Sequence, residues 1–270
     1  MVGCGDLGAR IARGFLDVAA EVYALTRTPV TALPVRWLRG DVTDATSIPP
    51  LPEALDHLVY CLTPSARNEV NYRRAYVEGL RNVLGQFTSG KVPRVTFISS
   101  TAVYGDAAGA WVDEASACAP AAFNGRVLLE AEQLVLQSGS EALVLRLGGI
   151  YGPGRVSLIR NVRSGKPMAA DALHWGNRIH VDDAAAAACH LVLSRARGVF
   201  NLVDSAPTAA ADVMDWLATQ LHVSAMPRPE RNGQSAGRRV SNTRLLGTGF
   251  TFRHSDYRSG YAQLLAAMDD

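Results

Sequence analysis

Lysine is scarce in this 270-residue sequence: Lys91 and Lys166 are its two lysines, and arginine supplies the other 25 of the 27 basic residues. Cysteine is also rare, and no two cysteines are spaced as a Cys-x-x-Cys pair. The four are Cys4, Cys61, Cys118 and Cys189. This spacing disfavours a zinc site or a disulfide framework, so we expect no metal and a reduced, cytoplasmic setting.

Long apolar runs are lacking as well. The longest nearly apolar stretch, residues 184–193, is far shorter than the ~20 residues that a membrane helix needs. No basic segment followed by an apolar stretch opens the chain, so the sequence does not predict a signal peptide. A net charge of +2 gives no reason to expect nucleic acid or an anionic membrane as a partner.

Strand-like and helix-like patterns alternate over the first 150 residues. Apolar, β-branched runs at 94–100 and 142–149 are typical of strands buried on both faces. An amphipathic helix is predicted between residues 67 and 87, and another over 126–137. The alternation predicts an α/β fold, a Rossmann-type doubly wound parallel sheet. We expect a nucleotide-binding domain over 1–150 and a small substrate-binding region over 151–270, with 152–178 rich in loops.

The chain opens with MVGCGDLG, a Gly-x-Gly-x-x-Gly pattern followed by a predicted helix. Gly3 permits a tight turn, Gly5 lets the backbone approach a pyrophosphate, and Gly8 allows close packing of helix and strand. With Asp6 and Leu7 they form the predicted phosphate-binding loop, because a helix amino terminus stabilises phosphate charge. Two residues precede Gly3, so we expect a truncated first strand that belongs to a longer natural one.

The residue after the second predicted strand bears on the choice of cofactor. An acid about 20 residues after the loop would hold the ribose hydroxyls of NAD. Arg27 stands there instead, nineteen positions after Gly8. Because arginine suits a 2′-phosphate through paired, charge-assisted hydrogen bonds, the sequence favours NADP over NAD. The alternative is that Arg27 is merely solvated.

Several stretches, in order, resemble the extended short-chain dehydrogenase/reductase superfamily, in its NAD(P)-dependent epimerase/dehydratase branch. The likeness runs over nearly the whole chain. The stretches are GCGDLG, GDVTD, YVEGLRNVL, FISSTAVYGD, LLEAEQLV, LRLGGIYGPGR, RIHVDDAAAA and VFNLVDSAPT.

The resemblance implies roles for particular residues. Asp41 and Val42 would lie beside the adenine, and Ser100 falls at the catalytic Ser/Thr position. Tyr151 would pass near the nicotinamide. The floor of the cofactor cleft and its neighbourhood would include Cys61, Leu62, Thr63 and Ser99. Outside this cleft, we expect Asp182 and Asp183 to cap a helix and His180 to be a packed histidine.

The tyrosine and lysine of the family's Tyr-x-x-x-Lys pair are missing. Their positions are occupied by Asn124 and Leu128, and a frame shifted by one residue gives Phe123 and Val127. The residues four before the two lysines are not tyrosines, so the pair exists nowhere in the chain. Loss of a positioned acid/base typically costs ~10²–10⁴ in rate. The chain is therefore an atypical member of the superfamily it resembles.

Three interpretations stay open for a chain with these features. It is an NAD(P)-dependent oxidoreductase or epimerase/dehydratase-like enzyme in which Ser100, Tyr151 or water handles the proton. It is an inactive NADP(H)-binding sensor. Or it is a catalyst of hydride transfer that needs no protein acid, as in reduction of an activated double bond.

The sequence gives less information about the substrate and about protein partners. A small carbonyl compound or nucleotide-linked sugar is the expected substrate. The arginines that could contact its phosphate, or form a solvated basic loop, are Arg228, Arg231, Arg238 and Arg239. The resemblance also implies a homodimer through the helices at 66–87 and 126–137.

Overall fold

The computed structural model describes residues 1–18, 20–29, 33–87, 93–138, 141–165, 174–224 and 235–269. These residues divide into two compact units, each discontinuous in sequence. The first comprises Met1–Val103, Cys118–Arg146 and Ala185–Phe200. The second comprises Tyr104–Ala117, Leu147–Ala184 and Asn201–Asp270. The domain boundary at residue 150 stays a prediction.

Within the described residues, the strands are β1 (Tyr23–Thr26), β2 (Arg36–Arg39), β3 (His57–Tyr60), β4 (Arg94–Ser100), β5 (Trp111–Val112), β6 (Ala142–Leu147), β7 (Gly149–Tyr151), β8 (His174–Gly176), β9 (Arg178–His180), β10 (Gly198–Leu202), β11 (Thr208–Ala209), β12 (Ala236–Gly237) and β13 (Arg239–Val240). The α-helices are α1 (Asp6–Leu16), α2 (Glu69–Arg73), α3 (Gly79–Leu84), α4 (Phe123–Leu136), α5 (Ser157–Arg163), α6 (Val181–Leu193), α7 (Ala210–Gln220), α8 (Thr243–Leu246) and α9 (Tyr257–Asp269). A π-helical turn, Arg74–Glu78, joins α2 to α3, and short 3₁₀ turns cover Ala45–Ser47, Gly85–Phe87 and Thr101–Val103.

The parallel sheet predicted from the sequence is present, and the fold is the Rossmann-like α/β class. β1 pairs in parallel with β2, and β3 in parallel with β4. Strands β3, β4, β6 and β10 are neighbours in that order. Their buried, mostly apolar residues make β4 and β6 central strands.

A single residue before the glycine loop, Val2, takes the position of a first strand between β1 and β3. Val2 forms isolated parallel bridges to Leu25 on one side and Tyr60 on the other, and these bridges link β1 to β3. The Val2 amide donates to the Val59 carbonyl at 2.8 Å, and the Cys61 amide donates back to Val2 at 2.8 Å. The short segment 1–3 therefore closes the ladder at the end of the sheet that carries the glycine loop.

Helix α1 begins at Asp6, within the glycine pattern and directly after Gly5, because its apolar residues recur at helical spacing. Leu7, Ile11, Ala12 and Phe15 are buried on one face. The other face carries Arg10 and Arg13 and remains accessible. The helix predicted to accompany the glycine pattern is thus confirmed, and it ends at Leu16.

The second unit has its own core, formed by α5, α7 and α9 around Ile159, Leu217 and Tyr257. Helix α5 and strand β8 lie within the segment 152–178 that was predicted to be rich in loops, so that prediction was wrong for these two elements. The apolar pair Ile159 and Val162, three residues apart and both buried, is the helical signal the prediction missed. Among the described residues, no helix is both long and apolar enough to cross a membrane.

Candidate functional site

The glycine loop has the backbone geometry that its three glycines predict. Gly3 has φ +83°, and a Cβ there would lie 2.3 Å from the Cys61 carbonyl oxygen. A Cβ on Gly8 would lie 2.5 Å from the Gly3 carbonyl oxygen. Gly5, the N-cap of α1, would meet nothing within 4 Å. Two glycines therefore permit close packing, and the third leaves the backbone open to an incoming group.

The start of α1 is suited to an anion, because the first amides of a helix lack partners within it. Gly5 caps the helix without a side-chain hydrogen bond. Asp6 places a carboxylate in this first turn, and Arg10 Nε lies 3.0 Å from its Oδ1. This ion pair partly offsets the charge of Asp6 beside the loop. Leu7, the next residue, is buried and anchors the turn.

The carboxyl ends of the parallel strands bring the predicted cofactor residues to one edge of the first unit. Cys61, Leu62 and Thr63 follow β3, where the Cys61 carbonyl abuts Gly3. The Tyr76 hydroxyl donates to the Leu62 carbonyl at 3.1 Å. The geometry of this edge thus fits a dinucleotide laid across the glycine loop.

Arg27 and Asp41 follow β1 and β2 at the same edge. Arg27 Nη1 lies 4.0 Å from Asp41 Oδ2, and both side chains are accessible. Asp41 Oδ1 also accepts hydrogen bonds from the amide and hydroxyl of Thr43, each at 2.9 Å. Val42 is buried, and its carbonyl accepts from Asn82 at 2.8 Å. The sequence does not indicate that Arg27 has an acidic neighbour, whereas the fold brings Asp41 beside it.

Ser99 and Ser100, at the end of β4, have different surroundings. The Ser99 hydroxyl is buried and donates to Glu132 Oε1 at 2.5 Å. The half-buried Ser100 hydroxyl accepts from the Ala102 amide at 3.2 Å. The side chain of Ser99 is therefore engaged inside the first unit, while Ser100 lies at the turn that follows β4.

Helix α4 carries the two positions of the missing pair. Leu128, which the resemblance places at the family's lysine position, is 5% exposed. Asn124 lies in the first turn, beside Phe123. The next residue, Gly125, packs so closely that a Cβ would lie 2.3 Å from the Ala102 carbonyl oxygen. The helix thus sits firmly against the Ser100 turn without a titratable residue at either position.

Glu132 and Arg146 lie beside the candidate site and were not singled out from the sequence. They form a buried ion pair, Nη2 to Oε2 at 2.7 Å, between α4 and β6. A signal was available: Arg146 interrupts a run of apolar strand residues, and a buried arginine needs a partner. Periodicity alone could not tell which acid supplies it.

Tyr151 lies in the second unit and is 4% exposed. Its hydroxyl donates to the Asp256 carbonyl at 3.4 Å, and its ring stacks on Tyr261 with centroids 4.6 Å apart. Burial, then the nearby Asp204 carboxyl, raise the pKa of Tyr151 above its ordinary value. The side chain of Tyr151 is therefore packed in the interior of the second unit.

His180, Asp183 and His254 lie together in the second unit, with possible ligand atoms within 4.8 Å of one another. His180 is fully buried, and its ring lies 4.2 Å from that of His254. Asp183 does not cap its own helix as expected, because its oxygens accept the amides of Arg253 and His254 at 2.7 and 2.9 Å. The carboxylate instead fastens residues 253–254 to the start of α6.

Two of the four predicted phosphate-contacting arginines lie in the second unit and bind backbone. Arg238 Nη1 donates to the Gly105 carbonyl at 3.2 Å, and Arg239 Nε donates to the Gly109 carbonyl at 2.7 Å. Burial lowers the pKa of Arg238. Arg228 and Arg231 lie outside the described residues.

A cavity of about 730 Å³ in the first unit lies at the opposite edge of the sheet. It is lined by the first residues of three strands, Tyr23, His57 and Arg94, and by Phe15 and Leu38. Its lining also includes Met1 and Val2, so the cavity reaches the segment that precedes the glycine loop.

The chain is similar to known proteins over its full length. It is 28% identical over 271 residues to the Escherichia coli K12 protein YeeZ, covering 95% of this chain and 96% of YeeZ. A solved structure from Methylobacillus flagellatus, described as an NAD-dependent epimerase/dehydratase, is 33% identical with a TM-score of 0.85, covering 100% and 97%. MoeE5, solved with UDP-glucose and NAD, is 23% identical with a TM-score of 0.79 over 97% of this chain and 95% of MoeE5, and shows the fold alone.

The match to a family gives the classification directly. Residues 3–202 match the sequence profile of the "NAD dependent epimerase/dehydratase family". This range begins at the first glycine of the loop and ends with β10, the last strand of the sheet. The chain therefore belongs to the NAD-dependent epimerase/dehydratase family.

Proposed function

We propose that the protein is an NADP(H)-dependent oxidoreductase that reduces a small carbonyl compound or a nucleotide-linked sugar at an atypical site. The observation that carries this proposal is the glycine loop, in which Gly3 and Gly8 permit close packing while Gly5 stays open. Because the Gly3 amide donates to Leu25 of β1 and the bonds of Val2 reach Val59 and Cys61, the loop is preorganised for a pyrophosphate.

The residues at the carboxyl edge have defined roles in this proposal. The loop and the start of α1 bind the pyrophosphate, Asp41 and Val42 flank the adenine, and residues 61–63 form the floor. Reduced nicotinamide, when bound, supplies a hydride. Ser100 holds the substrate oxygen through its hydroxyl, and α4 forms the adjacent wall.

Preference for NADP rests on Arg27. Its guanidinium is 64% exposed, so it can turn from Asp41 toward a 2′-phosphate. Asp41 would compete with that phosphate for the guanidinium of Arg27. Replacement of Arg27 with alanine should weaken NADPH binding roughly 10- to 100-fold, since one charge-assisted hydrogen bond contributes ~1.5–3 kcal/mol, and should leave NADH binding unchanged. Arg36→Ala is the control, because Arg36 is an exposed arginine paired with Glu21 at the other end of the strands.

The experiment that tests the proposal has two stages. Isothermal titration with NADPH and NADH measures binding, and stopped-flow absorbance at the NADPH band then measures hydride transfer to a panel of ketones, enones and UDP-sugars. Turnover of any carbonyl or UDP-sugar supports the proposal. A lack of NADPH binding at millimolar concentration overturns it.

The second candidate is an NADP(H)-binding sensor, and one observation favours it: Asn124 and the buried Leu128 replace the family's acid/base pair. Tight NADPH binding with no turnover across the panel decides for this candidate. Turnover confined to enones decides for the acid-free hydride transfer.

Homodimer formation through α2–α3 and α4 is a further part of the proposal. These helices expose the apolar side chains of Val70 and Leu136, which are 65% and 45% accessible. Light scattering during size-exclusion chromatography should give twice the chain mass of 28.9 kDa. A monomer mass at micromolar concentration contradicts this part alone.

A further inference from the structure

The proposed reduction needs a proton for the substrate oxygen, and the missing pair leaves its source open. Within the first unit, one phenol stands beside the vacant position. Tyr72 of α2 packs edge-on against Phe123, the first residue of α4, with ring centroids 5.3 Å apart and planes at 85°. Asn124, at the position of the family's tyrosine, follows Phe123 directly in the chain.

The same phenol also lies against the cofactor edge. The Tyr72 ring contacts the Tyr76 ring edge-on at 5.5 Å, and the Tyr76 hydroxyl donates to the carbonyl of Leu62. Leu62 belongs to the floor that follows β3. Tyr72 therefore stands between the floor of the cleft and the amino end of α4.

Two polar contacts fix the helix that carries Tyr72. Arg73, the next residue, donates from both terminal nitrogens to Glu130 of α4, at 2.9 and 3.0 Å. The Ser65 hydroxyl donates to Asn71 Oδ1 at 2.6 Å, which ties the loop after β3 to α2. Asn71 and Arg73, the residues on either side of Tyr72, are therefore both anchored, and a proton donor needs such fixed positioning.

The hydroxyl of Tyr72 is available for chemistry. Within the described part of the chain it has no hydrogen-bond partner, and the side chain is partly accessible. Tyr76, by contrast, is committed to Leu62, and burial raises its pKa. Tyr60 donates to the Ala75 carbonyl at 2.5 Å in the interior. Of these three phenols, Tyr72 alone has an uncommitted hydroxyl.

We propose that Tyr72 is the proton donor of the reduction, in the role that the family gives to a tyrosine at position 124. The inference rests on the proposed function. Reduced nicotinamide, if bound, would supply a hydride to the carbonyl carbon; the O–H bond of Tyr72 would then break and the O–H bond of the product alcohol would form. The phenolate then regains its proton from water, which reaches the side chain because it is partly accessible.

The test compares Tyr72→Phe with Tyr23→Phe. Tyr23 is a partly exposed phenol at the amino end of β1, and its loss should not affect the reaction. In a substrate that the wild type reduces, Tyr72→Phe should lower kcat about 10²-fold or more while NADPH affinity stays within twofold. Equal kcat in Tyr72→Phe and wild type overturns the proposal while the proposed function stands.

A second readout does not depend on turnover. Protein labelled with 3-fluorotyrosine gives one ¹⁹F resonance per tyrosine, and the two variants assign those of Tyr72 and Tyr23. Addition of NADP⁺ should shift the Tyr72 resonance and leave that of Tyr23 in place. An unshifted Tyr72 resonance at saturating NADP⁺ contradicts the placement. Lack of NADP⁺ binding, seen by titration, defeats the proposed function itself.

Discussion

Glu132 and Arg146 form a bidentate ion pair inside the first unit, with Arg146 Nη2 2.7 Å from Oε2 and Nε 3.1 Å from Oε1. Their side chains are 1% and 6% exposed. Ser99 donates to the same carboxylate, so one acid joins the ends of β4 and β6 to α4. The pair therefore fixes the helix wall beside Ser100, and the positions of Asn124 and Leu128 with it.

Replacement of Glu132 with glutamine should destabilise the protein by about 3–5 kcal/mol, because it leaves the buried Arg146 charge without its counter-ion. Urea unfolding followed by circular dichroism measures this loss. Glu130→Gln is the matched control on the same helix. Glu130 is 33% exposed and pairs with the accessible Arg73, so its loss should cost less than about 1 kcal/mol. Equal losses in both variants would contradict the role of burial.

The two glycines at the start of the loop should respond differently to alanine. Gly3→Ala places a Cβ 2.3 Å from the Cys61 carbonyl oxygen at φ +83°, so we expect a loss of about 1–3 kcal/mol or more in stability. Gly5→Ala meets open space at φ −73° and should change stability by less than about 0.5 kcal/mol.

Gly5→Ala, which should leave stability almost unchanged, should weaken cofactor binding. A methyl group at Gly5 obstructs the approach of a pyrophosphate, so Gly5→Ala should weaken NADPH binding at least about tenfold at unchanged thermal stability. Thermal unfolding and isothermal titration on both proteins make the comparison. Undiminished NADPH affinity in Gly5→Ala would show that the open face of the loop is not where the phosphate binds.

The sequence predicts well where one physical signal dominates. Strand β4 was predicted at its observed bounds, because a strand buried on both faces is a continuous apolar run. The glycine loop was predictable because a turn with positive φ strongly favours glycine. Helix α5 was missed, since two apolar residues one turn apart are a weak signal among glycines and prolines.

Long-range pairing lay beyond the sequence. Nothing local indicates that Asp183 binds the amides of residues 253 and 254, seventy positions away. Its place at the start of α6 suggests a cap, because acidic residues favour that position. Likewise, Asp41 lies beside Arg27 because β1 and β2 are adjacent in the sheet. Such contacts follow from topology rather than from residue type.

His57 should make the protein less stable in acid. Burial, and then the nearby Arg94, lower the pKa of His57 to about 4, against 6.5 for an ordinary histidine. The unfolded chain therefore takes up a proton at a higher pH than the folded one, and stability falls as pH drops from 6.5 towards 4. His57→Asn removes this dependence, so its stability relative to wild type should rise by about 2 kcal/mol between pH 7.5 and 4.5.

Urea unfolding at the two pH values measures that difference. Comparison of the two proteins cancels the carboxyl groups that also titrate in this range. The Nε2 of His57 lies 2.7 Å from the Thr96 hydroxyl, and Thr96→Val tests whether loss of this partner alone produces the effect. A relative stability that does not vary with pH would mean that His57 is readily protonated in the folded protein.

Asp204 should make the protein less stable as pH rises, the opposite of the effect of His57. Burial raises its pKa to about 7 against 3.8 for an ordinary aspartate, although Arg178 opposes the shift. Because the folded state holds this proton more tightly, its contribution is present below pH 3.8 and is lost as pH rises through 7. Asp204→Asn should therefore gain on the order of 2–4 kcal/mol relative to wild type between pH 4 and pH 8. Unfolding in urea at both pH values gives this gain. Asp44 is the control, since hydrogen bonds from Thr46 lower its pKa and it therefore titrates below this pH range: Asp44→Asn should show no comparable gain between pH 4 and pH 8. A gain of the same sign in both variants would show that net charge, rather than the burial of Asp204, sets the pH dependence.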